Sequence, residues 1–141
     1  MRDMSPGERR AFLAEGTRTG KLAVTMADGT PHVTPIWFVL DGDDVLFTTW
    51  HTSVKARAMR RDPRVSLCVD LEEPPYAYVH LRGRVTFDED LDAVRRAATE
   101  IGSRYMGADR AEEFGRRNGV PGEHLVRLVA DHVVAEHDMA G

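Results

Sequence analysis

Residues 48–67 read TTWHTSVKARAMRRDPRVSL, and the order strand, helix, strand within them decides the fold class. Residues 45–50 are β-branched and aromatic, as a strand requires. Residues 53–62 have the pattern of a short helix, N-capped by Ser53 and stopped by Pro63. From Arg64 a strand resumes. The charge of the helix start is unusual: Lys55 and Arg57 fall in the first turn, where unpaired N–H groups and the helix dipole favour an anion. Alone, the two cations are a small local penalty. With a phosphate or carboxylate bound, the amides and both side chains would converge on one ligand. A solvated basic helix accounts for the same residues equally well.

Upstream, Asp41-Gly42-Asp43-Asp44 is a tight turn back to a strand over residues 31–40, which Pro35 interrupts. A proline cannot donate to a ladder, so it belongs at an edge, at a bulge or where a ligand lies against the backbone. Asp28-Gly29 is a hairpin signal, and Leu22, Val24 and Met26 alternate in the strand before it. Ser5-Pro6-Gly7-Glu8 starts a helix with a capping box, which runs to about Glu15 before Gly16.

Downstream, Glu72-Glu73-Pro74-Pro75 is a rigid acidic loop, and residues 76–87 form a long strand with Gly83 marking a bulge or close approach. Asp88 or Asp90 caps a helix to about Tyr105, with Leu91, Val94, Ala98 and Ile101 on one face. Asp109, with Glu112 three residues on, starts a shorter helix that ends near Asn118-Gly119. Residues 124–136 close the chain as a strand, although their beginning alternates imperfectly and also admits a helix. The sum is a mainly β chain of about six antiparallel strands with helices at the corners. It predicts a small barrel in a single domain over residues 1–141.

The net charge of −4 argues against a general nucleic-acid binder, yet seven Lys and Arg residues fall from Lys55 to Arg84. Basic charge that local suits a small anionic ligand. The single cysteine, Cys68, excludes an internal disulfide and fits a reducing compartment; between Leu67 and Val69 it reads as a small core residue. No apolar run is as long as a membrane span, and residues 1–20 lack a signal-peptide pattern, so the expected location is cytoplasmic. The six histidines show no metal spacing, and no nucleophile has a base and an orienting partner in view. No catalytic residue or metal ligand is assigned.

A series of short motifs runs in one order from about Gly20 to Gly107. They are residues 29–38 (GTPHVTPIWF), Asp41-Gly42-Asp43, Ser53-Val54-Lys55-Ala56-Arg57, residues 61–67 (RDPRVSL), Pro75-Tyr76-Ala77-Tyr78-Val79, Gly83, and Arg104-Tyr105-Met106-Gly107. The series resembles the split β-barrel flavin-binding proteins related to pyridoxamine 5′-phosphate oxidase. Within them it is most similar to the actinobacterial branch that uses the deazaflavin coenzyme F420. That resemblance implies a split β-barrel homodimer with the cofactor in a cleft between subunits, and hydride transfer to a small organic substrate.

By the same resemblance Lys55 and Arg57 hold the cofactor phosphate, with Ser53 and Arg61 nearby. Pro35, Ile36, Trp37 and Phe38, with Thr48 and Thr49 facing them, lie along the ring system. Tyr76 and Tyr78, which alternate onto one face beside Pro74-Pro75, either close the cleft from the partner subunit or form an ordinary interface aromatic pair. His32, His51 and His80 fall near the expected cleft, where each is able to orient a substrate or donate a proton, and Trp37 and Trp50 either stack on the ring, line the substrate pocket or serve as core or dimer contacts. Two departures stand out: Ala58-Met59 replaces the Asn-Leu of many relatives, and the chain ends in residues 136–141 (EHDMAG), unlike the basic, apolar tail of the oxidase. FMN in the same site remains an alternative cofactor, and a flavin carrier without turnover an alternative role.

Overall fold

Ser5 accepts the Glu8 amide at 3.1 Å and Glu8 accepts the Ser5 amide at 3.0 Å, so the expected capping box starts the first helix. The structure is a computed structural model that describes residues 1–141. Its elements are β1 (Arg2–Asp3), α1 (Pro6–Ala14), β2 (Gly20–Thr25), β3 (Pro31–Ile36), β4 (Val39–Asp41), β5 (Asp44–Trp50) and α2 (Val54–Arg61). After these come β6 (Arg64–Leu71), β7 (Ala77–Asp88), α3 (Leu91–Met106), α4 (Ala111–Asn118) and β8 (Glu123–His137).

Every strand pair is antiparallel, in the order β3-β2-β6-β7-β8-β5-β4, with β1 added to β8. The two end strands, β3 and β4, are consecutive in the chain and separated only by Trp37 and Phe38. The sheet therefore closes through a covalent link, not a ladder, and this is a split barrel. Six strands were expected and eight are present, because β1 adds two residues at the N-terminus and the strand expected over residues 31–40 is two. Pro35 lies on the end strand, where its missing N–H leaves no gap in the sheet interior.

Strand alternation sends Leu22, Val24, Val45, Phe47, Leu67, Val69, Val79, Leu81, Val126 and Leu128 into one core, each less than 5% exposed. Burying each contributes about 1.5–3 kcal/mol relative to leaving it in water. Met59 and Ala58 of α2 join the same cluster, so this helix is fastened to the barrel by its buried side. A second cluster, Leu46, Val94, Ala97 and Leu125, packs α3 on the outer face of β5 and β8. Gly83 sits where the β7–β8 register shifts, and a Cβ there would lie 2.0 Å from the Val129 carbonyl oxygen, so both readings of this glycine hold.

Arg104 near the end of α3 ties three parts together. Its guanidinium donates to the carbonyls of Leu13 (2.7 Å), Gly16 (2.9 Å) and Phe38 (2.7 Å), while Tyr105 Oη accepts from the Phe38 amide and donates to the Arg18 carbonyl. These bonds hold the chain at the break between β3 and β4.

Three local expectations need correction. Cys68 does not face the core: Leu67 and Val69 do, and alternation turns Cys68 outward, half-buried, where burial raises its thiol pKa. Tyr76 precedes β7 with φ 62° and is not part of the strand. Asp109 does not cap α4; it lies in a single 3₁₀ turn, Ala108–Arg110, and α4 has no side-chain cap. Asp90, not Asp88, caps α3, accepting from the Ala93 amide at 3.1 Å.

Candidate functional site

The β5–α2 junction is built by two hydroxyls. Ser53 Oγ accepts the Ala56 amide at 3.1 Å and lies 2.8 Å from Thr49 Oγ1, which is itself inside the barrel at 3% exposure. The amides of Val54 and Lys55 have no acceptor within the chain, and the first turn of α2 holds no acidic residue. Lys55, Arg57 and Arg61 make no ion pair within 4.0 Å. Arg64, just beyond the helix, is different: it clasps Asp62 at 2.8 Å and its hydrogen bonds hold that carboxyl at about 2. Free amides with uncommitted cations are a donor set suited to a phosphate.

Opposite this turn the barrel parts. The β4–β5 ladder runs Asp41↔Asp44, Leu40↔Val45 and Val39↔Leu46. Extended further, that register would set Trp37 against Thr48 and Pro35 against Trp50, but β3 pairs with β2 instead, with Pro35 opposite Lys21. The lips of the split therefore carry Pro35 and Trp37 on one side and Thr48 and Trp50 on the other. Both tryptophans are exposed, at 38% for Trp37 and 44% for Trp50. One face of Trp37 is already covered by Tyr105, stacked at 5.0 Å with planes 4° apart.

The structure thus sets Ser53, Lys55, Arg57 and Thr48 around the β5–α2 junction, with Arg61 exposed at the far end of the same helix, while Pro35 and Trp37 lie on the opposite lip of the split, where Trp37 packs on Tyr105 and Phe114. Ile36 and Phe38 (6% and 0% exposed) point into the core, and Thr49 is committed to Ser53, so these three reach a ligand only through backbone or through Ser53. Tyr76 and Tyr78 lie near the opposite end of β6 from α2. With Lys21, Cys68, Asp70 and Met139 they line an open depression of about 770 Å³. Within one chain they are not brought to Lys55. His80 pairs with Ser66 across the outer face of β6 and β7, away from α2. His32 Nδ1 and Thr34 Oγ1, on the face of β3 shared with Val24 and Leu22, are buried without a hydrogen-bond partner.

Three polar residues around α2, Glu123, His124 and Glu89, escaped the reading of the sequence. Glu123, opposite Trp50 in the β5–β8 register, is half-buried; burial raises its carboxyl pKa, and the Thr48 hydroxyl and Lys55 pull it back down. Arg60 donates to the His51 carbonyl at 3.0 Å, lies over the Phe87 ring at 4.5 Å and contacts His124 Nδ1. His124 Nε2 in turn lies 3.1 Å from Glu89 Oε1. Arg60 and His124 are 64 positions apart, so no local pattern announces them; the one hint is polar Glu123-His124 opening an otherwise apolar strand. No cluster of three or more His, Cys, Asp and Glu side chains is placed to hold a metal, and no helix is long and apolar enough to cross a membrane.

Comparison with known proteins gives the family and the fold. The family model described as pyridoxamine 5′-phosphate oxidase matches residues 5–135. An F420H(2)-dependent biliverdin reductase of Mycobacterium tuberculosis is 30% identical over 95 residues, which cover 67% of this chain and 68% of the reductase. A conserved hypothetical protein of M. tuberculosis superposes with a TM-score of 0.86 at 30% identity, over 97% of this chain and 87% of its own. A solved F420 reductase superposes with a TM-score of 0.67 at 26% identity, over 87% of this chain and 94% of that one. The free first turn of α2, the split beside it and these matches point the same way: the chain belongs to the pyridoxamine 5′-phosphate oxidase family of split barrels.

Proposed function

We propose that this protein is an oxidoreductase that binds coenzyme F420 and passes a hydride to a small conjugated or heteroaromatic acceptor. The observation that carries the reading is the first turn of α2, with two free amides and with Lys55, Arg57 and Arg61 uncommitted to any carboxylate. These residues would hold the cofactor phosphate. Ser53 fixes the turn they extend from, and the lips of the split, Pro35, Trp37 and Thr48, would lie along the ring. A bound reduced deazaflavin supplies the hydride; the chain's share is to place the ring and exclude water. Hydride transfer requires no nucleophile of the protein; the one proton that completes the reduction would come from solvent or from a side chain at the cleft.

Biliverdin, the substrate in the name of the M. tuberculosis relative, is one acceptor of this class, and quinones and nitroaromatics are others. The functional unit we propose is a homodimer. Tyr76 and Tyr78 are too far along β6 to meet Lys55 of their own chain, and a second copy would bring them to the cleft. A lone, unpaired cysteine is compatible with the cytoplasm, where we place the enzyme.

The same donor set accepts the phosphate of FMN, which is the competing occupant. Parallel fluorescence titrations with F420 and with FMN decide between them: preferential F420 binding is expected, and preference for FMN overturns the cofactor assignment. Turnover of biliverdin by reduced F420 then separates an enzyme from a carrier.

A further inference from the structure

Beside the buried Ala58 and Met59, the C-terminal half of α2 has one polar tie to the rest of the chain, Arg60, whose partners form a chain that ends in a carboxylate. His124 is 8% exposed and lies between Arg60 and Glu89. A guanidinium has donors only, so the Nδ1 that faces it must be an unprotonated acceptor. The remaining proton then sits on Nε2 and donates to Glu89 at 3.1 Å. Both ring nitrogens are thereby assigned by their partners. The charged or titratable groups facing the imidazole are Arg60 from α2, Glu89 from the segment before α3, and His51 from the loop before α2, with ring centres 5.9 Å apart. Phe87 adds an uncharged ring edge from β7. Burial, Arg60 and His51 push the imidazole below 6.5, and Glu89 opposes them.

Arg60 also donates to the His51 carbonyl, and His51 Nδ1 and its amide both reach the Gly122 carbonyl, at 3.0 and 2.8 Å. Arg60 is therefore one of the ties on the loop that carries Ser53 and the free amides, beside the His51–Gly122 bonds and the Thr49–Ser53 pair. We propose that His124 is a positioning residue for the anion-binding turn. Neutral, it accepts from Arg60 and keeps residues 51–55 in register for a phosphate; protonated, it loses that acceptor and releases the turn. This rests on the reading of α2 as an anion site, and it predicts that ligand affinity falls as His124 takes up a proton.

The test uses the full chain labelled with ¹⁵N. Long-range ¹H–¹⁵N correlation at neutral pH is expected to show His124 as the Nε2–H tautomer. On titration from about pH 8 to pH 5, the Val54 and Lys55 amides are expected to shift with the His124 midpoint. His124→Gln, whose amide donates and accepts but does not titrate, abolishes that coupled shift, and His51→Gln retains it. Glu89→Gln, at an exposed position, is expected to lower both midpoints together, so the proposal stays testable if the His124 variant does not fold. An Nδ1–H tautomer, or amides that titrate independently of His124, overturns the proposal. Titration with F420 then reads the consequence: affinity is constant at high pH and falls by up to about tenfold per pH unit below the His124 midpoint, but is flat in His124→Gln. Absence of F420 binding at every pH would count against the cofactor reading only, because the magnetic resonance measurement is made on the free protein.

Discussion

Two helices of nearly equal length, α1 and α2, each begin on a serine and pack against the barrel, yet their first turns are opposites. In α1 the third residue after the cap is Glu8, which closes a box with Ser5 and puts a carboxylate on the positive end of the helix. In α2 the same position is Ala56, fully buried, and the neighbouring side chains are Lys55 and Arg57. The first helix is electrostatically complete; the second is left short of one negative charge. Serine capping is therefore no guide to whether a helix N-terminus is free for a ligand. The identity of the residues in its first turn is.

The largest effect is expected from giving α2 the acid that α1 has. Lys55→Glu should weaken F420 binding by about a hundredfold or more, and Lys55→Ala should cost about 1.5–3 kcal/mol, with the melting temperature nearly unchanged in both. Unaltered affinity in Lys55→Glu would remove the distinction between the two helices as far as ligands are concerned.

The next comparison is between the caps themselves. Ser5→Ala should cost about 1 kcal/mol in chemical denaturation. Ser53→Ala should cost about 2 kcal/mol, because it also strands the buried Thr49 hydroxyl. Equal losses would mean that Thr49 contributes nothing to the junction.

How much of this was readable in the sequence depends on how local each cause is. The Ser53 cap, the Pro63 stop, the Ser5–Glu8 box and the Gly83 irregularity each lie within a few residues of their effect, and all four are present. Division of residues 31–41 into two strands was not readable, since the backbone at Phe38 is held by Arg104 and Tyr105, 66 and 67 positions away. The same holds for Arg60 and His124. Cys68 is a different failure, because strict alternation with Leu67 and Val69 already turned it outward.

Smaller effects sharpen the contrast further. Glu123→Gln removes a half-buried carboxylate whose charge is coupled to Lys55 and should tighten F420 binding about twofold to fivefold near neutral pH. Because burial raises the Glu123 pKa in the folded state, its unfavourable contribution to stability is full above that pKa, is relieved as pH falls from it towards the unfolded value and is absent below the unfolded value; the variant should lose this dependence in a pH series of melting temperatures. Glu8 has the opposite sign. The Ser5 hydrogen bonds lower its pKa below 4.5, so its stabilising effect is full above 4.5 and fades as pH drops through the folded-state value. Glu8→Gln should flatten that acid limb slightly and leave ligand binding unaltered.

The seam at Trp37 and Phe38 gives the barrel a mechanical character. A closed ladder would resist opening along its whole length, whereas this cylinder is a cuff: one continuous band of chain forms the hinge, and a side-chain buckle of Arg104 and Tyr105 holds it shut from the end of α3. Release of that buckle would let β3 with β2 swing away from β4 with β5 without breaking any inter-strand bond. The lips that frame the proposed ring site are thus joined by a link whose fastening lies on another element, at the end of α3.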